Sequence, residues 1–271
     1  MAKTPVWGLG GPKLVSPATR GKFERVVGFF DMHFHHNEED LWERAMKALE
    51  DIKPHRVVFG GDLADNSLIS RWEEKKRLKM PQGKVNRIVM SDLDDISKQS
   101  FGRVREILPN CVIDFTEGNH DERARLWLDD ELEKGVAEFK EAMNFGDYDV
   151  NWHPRSGFRL RPEFIVRHGH YTTKHNALKE HESTKCGGWS GHKHSWTEWD
   201  ETHHETDRRW HWTVAPIMGR VDFDYGPGQS GKAPWPQGFL VGTFSTEDQY
   251  LYHTDVATYW RDKLLLRGKV Y

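Results

Sequence analysis

Apolar residues in this chain fall into short runs separated by polar loops. Arg25 to Phe30 (RVVGFF) and Arg56 to Phe59 (RVVF) are nearly continuous apolar stretches, the pattern of strands buried on both faces. Between them, Glu38 to Ile52 places Leu41, Ala45, Ala48, Leu49 and Ile52 at helical spacing, and Pro54 stops the helix. Strand, loop, helix and strand in this order make the unit of a parallel sheet. Val112 to Thr116 and Phe164 to Arg167 read as two more buried strands. Thr213 to Ile217, Phe239 to Phe244 and Tyr250 to Thr254 are further strand candidates, the last two a hairpin across Ser245 to Gln249.

The segments between these runs differ in kind. Residues 66–110 read as helical and strongly charged, and Lys75 to Lys79 (KKRLK) reads as a solvated helix face. Glu122 to Met143 predicts one or two helices with a break at Gly135. Residues 1–22, rich in Gly and Pro, suggest an irregular arm over the domain, and Tyr225 to Gly238 a long surface loop. Glu201 to Arg209 reads as a charged, solvated loop that carries His203 and His204.

At 271 residues the expectation is one domain over 1–271, with a core at about 25–255 and a helical insertion at about 66–110. No apolar run approaches the roughly 18 residues of a membrane span. The start, Met1 to Pro12, lacks a basic end followed by an apolar stretch, so a cytoplasmic location is expected. Cys111 and Cys186 are too few for a disulfide framework and read as ordinary thiols. The formal net charge of −3 exerts no general pull on nucleic acid.

Sixteen histidines change the picture, because histidine is the commonest metal ligand. Polar clusters recur at the ends of apolar runs: Asp31-Met32-His33, Gly61-Asp62-Leu63-Ala64-Asp65, Gly118-Asn119-His120-Asp121, His168-Gly169-His170 and Gly191-His192-Lys193-His194. Ligands of open α/β sheets bind beyond the carboxyl ends of the strands, so parallel neighbours would bring these clusters to one edge. A donor set of carboxylate, amide and imidazole suits Mn, Fe, Zn, Ni or Mg. Taken singly, each cluster has a plainer reading; a Gly-Asp after a strand is often a helix cap.

In this order the motifs D-x-H, G-D-x-x-D, G-N-H-D, H-G-H and G-H-x-H, over residues 31–194, resemble those of the calcineurin-like metallophosphoesterase superfamily. The resemblance implies a two-sheet α/β sandwich of mixed strands flanked by helices. It also implies two divalent ions, with Mn the first expectation. Asp31, His33 and His194 would hold one ion, and Asn119, His168 and His192 the other, with Asp62 bridging both. His120 would be the general acid for the leaving oxygen, and Asp121 would orient it. Two ions roughly 3.5–4 Å apart can clamp both the attacking and the departing oxygens of a displacement at phosphorus.

The implied activity is hydrolysis of phosphate esters, with a phosphodiesterase or nuclease acting on nucleotides or nucleic acid preferred. A phosphomonoesterase, protein phosphatases included, is the alternative, and a metal-bound scaffold with little turnover is the third reading. Arg123 and His35 are candidate substrate contacts; Arg matches phosphate geometry. His36 could line the same pocket, and His170 is a weaker ligand candidate. The late tryptophans, Trp189, Trp196, Trp199, Trp210, Trp212 and Trp235, read as core or interface packing, with base stacking the other reading.

Overall fold

The computed structural model describes residues 12–70, 74–129, 131–221 and 235–271. Strands β1 (Lys13–Leu14), β2 (Phe23–Phe29), β3 (Arg56–Phe59), β4 (Val112–Thr116), β5 (Val150–His153), β6 (Phe158–Arg161), β7 (Phe164–Val166), β8 (Gly187–Ser190), β9 (Thr197–His203), β10 (Arg208–Val214), β11 (Gln237–Ser245), β12 (Tyr252–Tyr259), β13 (Leu264–Leu266) and β14 (Lys269–Val270) form two mixed sheets. The larger has the order β14-β13-β12-β11-β2-β3-β4-β5, with β2 to β5 parallel. The smaller has the order β1-β6-β7-β8-β10-β9, with β7, β8 and β10 parallel.

Why the central strands read as continuous apolar runs is visible in the layering. Val27, Phe29, Val57, Phe59, Ile113 and Phe115 pack with buried residues of helices α1 (Glu39–Ile52), α3 (Gln82–Ser97), α4 (Arg103–Ile107), α5 (Asn119–Leu128) and α6 (Leu132–Ala142), and the short α2 (Glu74–Arg77) precedes α3 in the chain. Val26, Phe30, Val58 and Leu240 face the other way, against Phe158, Phe164, Val166 and Trp189 of the smaller sheet. The outer side of the smaller sheet packs Ile165, Trp212 and Val214 on Ala177 of α7 (Asn176–Thr184). The result is a four-layer α/β sandwich, as expected.

The departures are local. Gly135 does not break a helix; it lies within α6, and the break falls between Leu128 and Leu132. A Cβ at Gly135 would lie 2.5 Å from the Asp129 carbonyl, so the glycine serves the close approach of α6 to the end of α5. The segment 201–209 is the tip of the β9–β10 hairpin rather than a free loop. The expected strand at Thr213 to Ile217 ends at Val214, and Ile217 makes only an isolated bridge to Gln237. Part of the amino-terminal arm joins the smaller sheet as β1. Most of the loop expected at Tyr225 to Gly238 lies outside the described residues.

At the amino ends of β2 and β3, buried charges tie the sheets together. Glu24 takes hydrogen bonds from Arg56 Nε (2.8 Å) and from Arg161 Nη2 of the smaller sheet (2.9 Å). Arg56 also pairs with Asp114, and His153 Nε2 lies 2.6 Å from the same carboxylate. Burial pushes the Asp114 carboxyl up, but His153 and Arg56 outweigh it and hold its pKa below the ordinary value. A depressed carboxylate adds stability above its unfolded pKa of about 3.9 and loses it as pH falls through the folded value. Asp114→Asn should therefore cost roughly 3–5 kcal/mol at neutral pH, the usual cost of breaking a buried pair. The gap from wild type should narrow below about pH 4. Urea unfolding at pH 7 and pH 3.5 measures both, and an equal gap at the two pH values would contradict the assignment.

Candidate metal centre

The five motifs follow five strands. Asp31 and His33 lie after β2, Asp62 and Asp65 after β3, Asn119 and His120 at the start of α5 after β4, His168 after β7, and His192 and His194 after β8. The first three strands are adjacent and parallel in one sheet, and the last two are adjacent and parallel in the other. Their carboxyl ends meet across the sandwich. Backbone bonds hold the loops in register: Asp31 N to Gly61 O at 3.1 Å, His33 N to Asp62 O at 2.9 Å, and Gly191 N to His168 O at 2.8 Å.

Among the described residues three donor groups result, and two of them carry the expected ligand residues. Asp31, His33 and His194 each bring a ligand atom within 4.8 Å of the others, as do Asp62, His168 and His192. In the first, His33 Nε2 and His194 Nε2 are 3.1 Å apart, and His194 Nε2 is 3.6 Å from Asp31 Oδ1. In the second, His168 Nε2 is 3.2 Å from Asp62 Oδ2 and 3.1 Å from Asn119 Oδ1. His168 Nδ1 lies 3.1 Å from the Gly60 carbonyl, which fixes the proton there and turns Nε2 inward. Asp31 joins the clusters across the sheets, since its carboxylate takes the His192 N–H at 2.9 Å.

The backbone is strained where it delivers these side chains. Asp31 (φ 52°), His33 (φ 49°), Asp62 (φ 49°), His192 (φ 72°) and His194 (φ 59°) all occupy the left-handed region, which non-glycine residues seldom adopt. The motif glycines make room. A Cβ at Gly118 would stand 2.2 Å from Asp62 Oδ1, and one at Gly191 would stand 2.4 Å from Asp31 Oδ2.

The electrostatics suit cations. Asp31 and Asp62 are fully buried. Burial raises Asp31 to about 6 against the pull of His168, whereas at Asp62 the effect of burial is outweighed by His168 and His120, which leaves it well below the usual range. Burial discharges two of the imidazoles, taking His192 down to about 4 and His194 well below its usual value, so both offer neutral nitrogen lone pairs, whereas at His168 burial is outweighed by Asp62 and Asp31, which raise it to about 9. Buried carboxylates beside imidazoles and one amide oxygen are a donor set that fits one or two divalent ions.

The remaining candidates separate. His120 Nδ1 is 2.7 Å from the Asp65 carbonyl and 3.3 Å from its carboxylate, and Nε2 is 3.9 Å from Asp62. Asp121, expected to orient that ring, instead accepts the backbone N–H groups of Gly118 (3.0 Å), Ala64 (3.2 Å) and Leu63 (3.4 Å), which ties the second and third motif loops together. Arg123 Nη1 is 3.5 Å from His120 Nδ1. His35 is exposed, 3.8 Å from Asp92, and joins neither cluster; with His36, Asn66 and Val89 it lines a cavity of about 70 Å³. His170 lies outside both clusters, and burial takes it down to about 3. Trp189 and Trp212 are core, while the Trp235 ring stands edge-on to His194 at 4.6 Å.

Two further residues, Asp65 and Arg155, stand at the site, and the motif pattern gives neither a role. Asp65 stands in the second motif and forms a further donor group with His33 and His120. Arg155, in the turn after β5, pairs with Glu122 at 3.2 Å, and its charge adds to burial in lowering the pKa of His170 and His192. A lone arginine in a Pro-containing turn carries no signal of its own in the sequence.

No family model matches the chain, and no curated protein does. Among solved structures, nuclease MPE of Pseudomonas putida aligns at 12% identity over 80% of this chain and 82% of its own, with a TM-score of 0.35. Vps29 of Chaetomium thermophilum aligns at 8% identity over 88% and 98%, with a TM-score of 0.39. Likenesses of that degree leave fold and activity to be argued from the chain's own residues. The chain's own geometry is a four-layer, two-sheet α/β sandwich with His and Asp donors clustered at one end of both sheets, consistent with a metallophosphoesterase-like fold.

Gly118→Ala tests the packing of the centre. The added methyl displaces the Asp62 carboxylate, so affinity for Mn measured by calorimetry should fall by about 10-fold or more, a loss of at least about 1.4 kcal/mol. The far-UV circular dichroism should stay that of the wild type. Unchanged Mn affinity would contradict the role given to this glycine.

Proposed function

We propose that this chain hydrolyses phosphodiesters of nucleotides or nucleic acid, using two divalent ions held by Asp31, His33 and His194 and by Asn119, His168 and His192, with Asp62 between them. The sandwich and its clustered donors support dinuclear metal-dependent phosphoesterase activity in general. Bound there, divalent ions supply Lewis-acid stabilisation of the phosphoryl oxygens and a lowered pKa for water. The chain's own residues do the rest.

The observation that carries the reading is the His120 ring, set between Asp62 and Asp65. Burial alone would discharge it, but Asp62 and Asp65 outweigh burial and raise its pKa. A ring that keeps its proton near neutral pH is matched to general-acid work on a leaving alkoxide. Asp65 accepts from Nδ1–H, which leaves Nε2 as the atom that gives up the proton. In this reading Asp65, not Asp121, orients the acid, while Asp121 holds the loops that carry it. Arg123, beside the same ring, is available to a non-bridging phosphate oxygen. The half-exposed Trp235 offers an aromatic edge next to His194. Monoester hydrolysis uses the same groups and remains the second reading.

Metal-stripped protein with Mn restored should hydrolyse bis-p-nitrophenyl phosphate faster than p-nitrophenyl phosphate. Asp62→Ala should abolish both activities. His120→Ala should cost about 10²–10⁴ in kcat on an alkyl diester, and far less where the leaving group is a nitrophenolate that needs no proton. A monoester preference would transfer the assignment to the second reading. Bound ions with no turnover of any ester would return it to a scaffold, and an equal His120→Ala loss on both leaving groups would remove the acid role.

A further inference from the structure

The loop that carries His168 is gripped from behind by the outer helical layer. Glu180 of α7 is 1% exposed, and its Oε1 accepts the backbone N–H of His170 at 2.6 Å and of Tyr171 at 3.1 Å. Its other oxygen pairs with the Arg167 guanidinium. Arg167 is itself buried, bonds Ser183 Oγ at 2.7 Å and lies 5.3 Å over the Trp212 ring. Gly169 turns the chain between these points at φ +106°, and a Cβ there would come 3.3 Å from Glu180 Oε1.

This ion pair is an unusual thing to bury. Charges taken out of water gain little net stability, and well-packed apolar groups of the same volume serve as well or better. Two consecutive amides aimed at one carboxylate oxygen do something that apolar groups cannot: they fix the direction in which the chain leaves His168. The peptide that leaves His168 is also bonded from the smaller sheet, since Gly191 N donates to the His168 carbonyl at 2.8 Å. The imidazole is therefore positioned by its own Nδ1 bond to Gly60, by the Gly191 bond to its carbonyl and by the Glu180 bonds to the next two amides of the loop, His170 and Tyr171.

We propose that Glu180, backed by Arg167, is a positioning residue for the second ion, acting by fixing the His168-Gly169-His170 loop. The proposal rests on His168 being a ligand. Groups that orient a ligand in this way typically contribute about 10–100-fold to metal affinity.

The test titrates metal-stripped protein with Mn by calorimetry and follows spin coupling between the ions by electron paramagnetic resonance. The variants are Glu180→Gln, Glu180→Leu and the double change Arg167→Met with Glu180→Leu. Glu180→Leu should weaken the second ion by about 10–100-fold and leave the first unchanged. The coupled signal should then give way to that of an isolated ion. Because Glu180→Leu strands a buried guanidinium, its melting temperature should also drop. The double change removes that stranded charge and should restore the melting temperature while the second ion stays weak. Glu180→Gln keeps an acceptor oxygen and should keep most of the coupling. Two ions bound with wild-type affinity by the double variant would overturn the proposal and reduce the pair to a structural role. Equal weakening of both ions would overturn it too. A wild-type chain that takes only one ion would overturn the reading of the centre itself.

Discussion

Two carboxylates, Asp31 and Asp62, are fully buried and lie at the seam between two sheets. A buried carboxylate is tolerated only when opposite charge and hydrogen bonds surround it. Here Asp62 takes the His120 N–H from its own sheet at 2.8 Å, and the other surrounding groups come from the opposite sheet. His168 meets Asp62, and the amide of His192 and the ring of His194 meet Asp31. The sheets therefore have to be registered to within a hydrogen-bond length at this end, and several features follow from that need. Glycines stand where a Cβ would strike the carboxylates, and ligand candidates sit in left-handed backbone. At the other end of β2 and β3, the Glu24–Arg56–Arg161 group ties the same two sheets together. The apolar layer between, from Val26 to Trp189, sets their separation.

The functional consequence is a division of labour between sheets. The larger sheet contributes the carboxylates, the amide of Asn119 and the His33 and His120 rings, while the smaller sheet contributes the His168, His192 and His194 imidazoles. The Asp31–His33–His194 and Asp62–His168–His192 groups each need both sheets. The supporting residues belong to layers further out: Asp121 caps α5 and ties two motif loops, and Glu180 holds a third from α7. This suits a reaction in which positioning matters more than covalent chemistry, as in phosphoryl transfer between fixed oxygens.

How far the sequence reveals this depends on the kind of residue. The strands β2, β3 and β4 are legible because burial on both faces makes them continuous apolar runs, and α1 because its buried positions repeat at helical spacing. Strand β8 (GGWS) is not legible. Its glycines are there because Gly188 lies against the Ile165 carbonyl and the Trp212 ring, a tertiary contact that leaves no local trace. Strand β9 (TEWDETH) is a polar edge strand with only every second side chain half-buried. In the site, residues that carry chemistry sit in compact motifs and were readable. Asp65 was visible as a motif member but not as the partner of His120, because that partnership is made by the fold. Arg155 and Glu180 lie outside every motif and could be found only in three dimensions.

The central claim is that two ions share Asp62 at the seam. Anomalous diffraction from crystals grown with Mn measures it most directly. The account predicts two peaks roughly 3.5–4 Å apart. One should lie among Asp31, His33 and His194, the other among Asn119, His168 and His192, with Asp62 reaching both. A single peak, or one centred on the His33, Asp65 and His120 group instead, would contradict it.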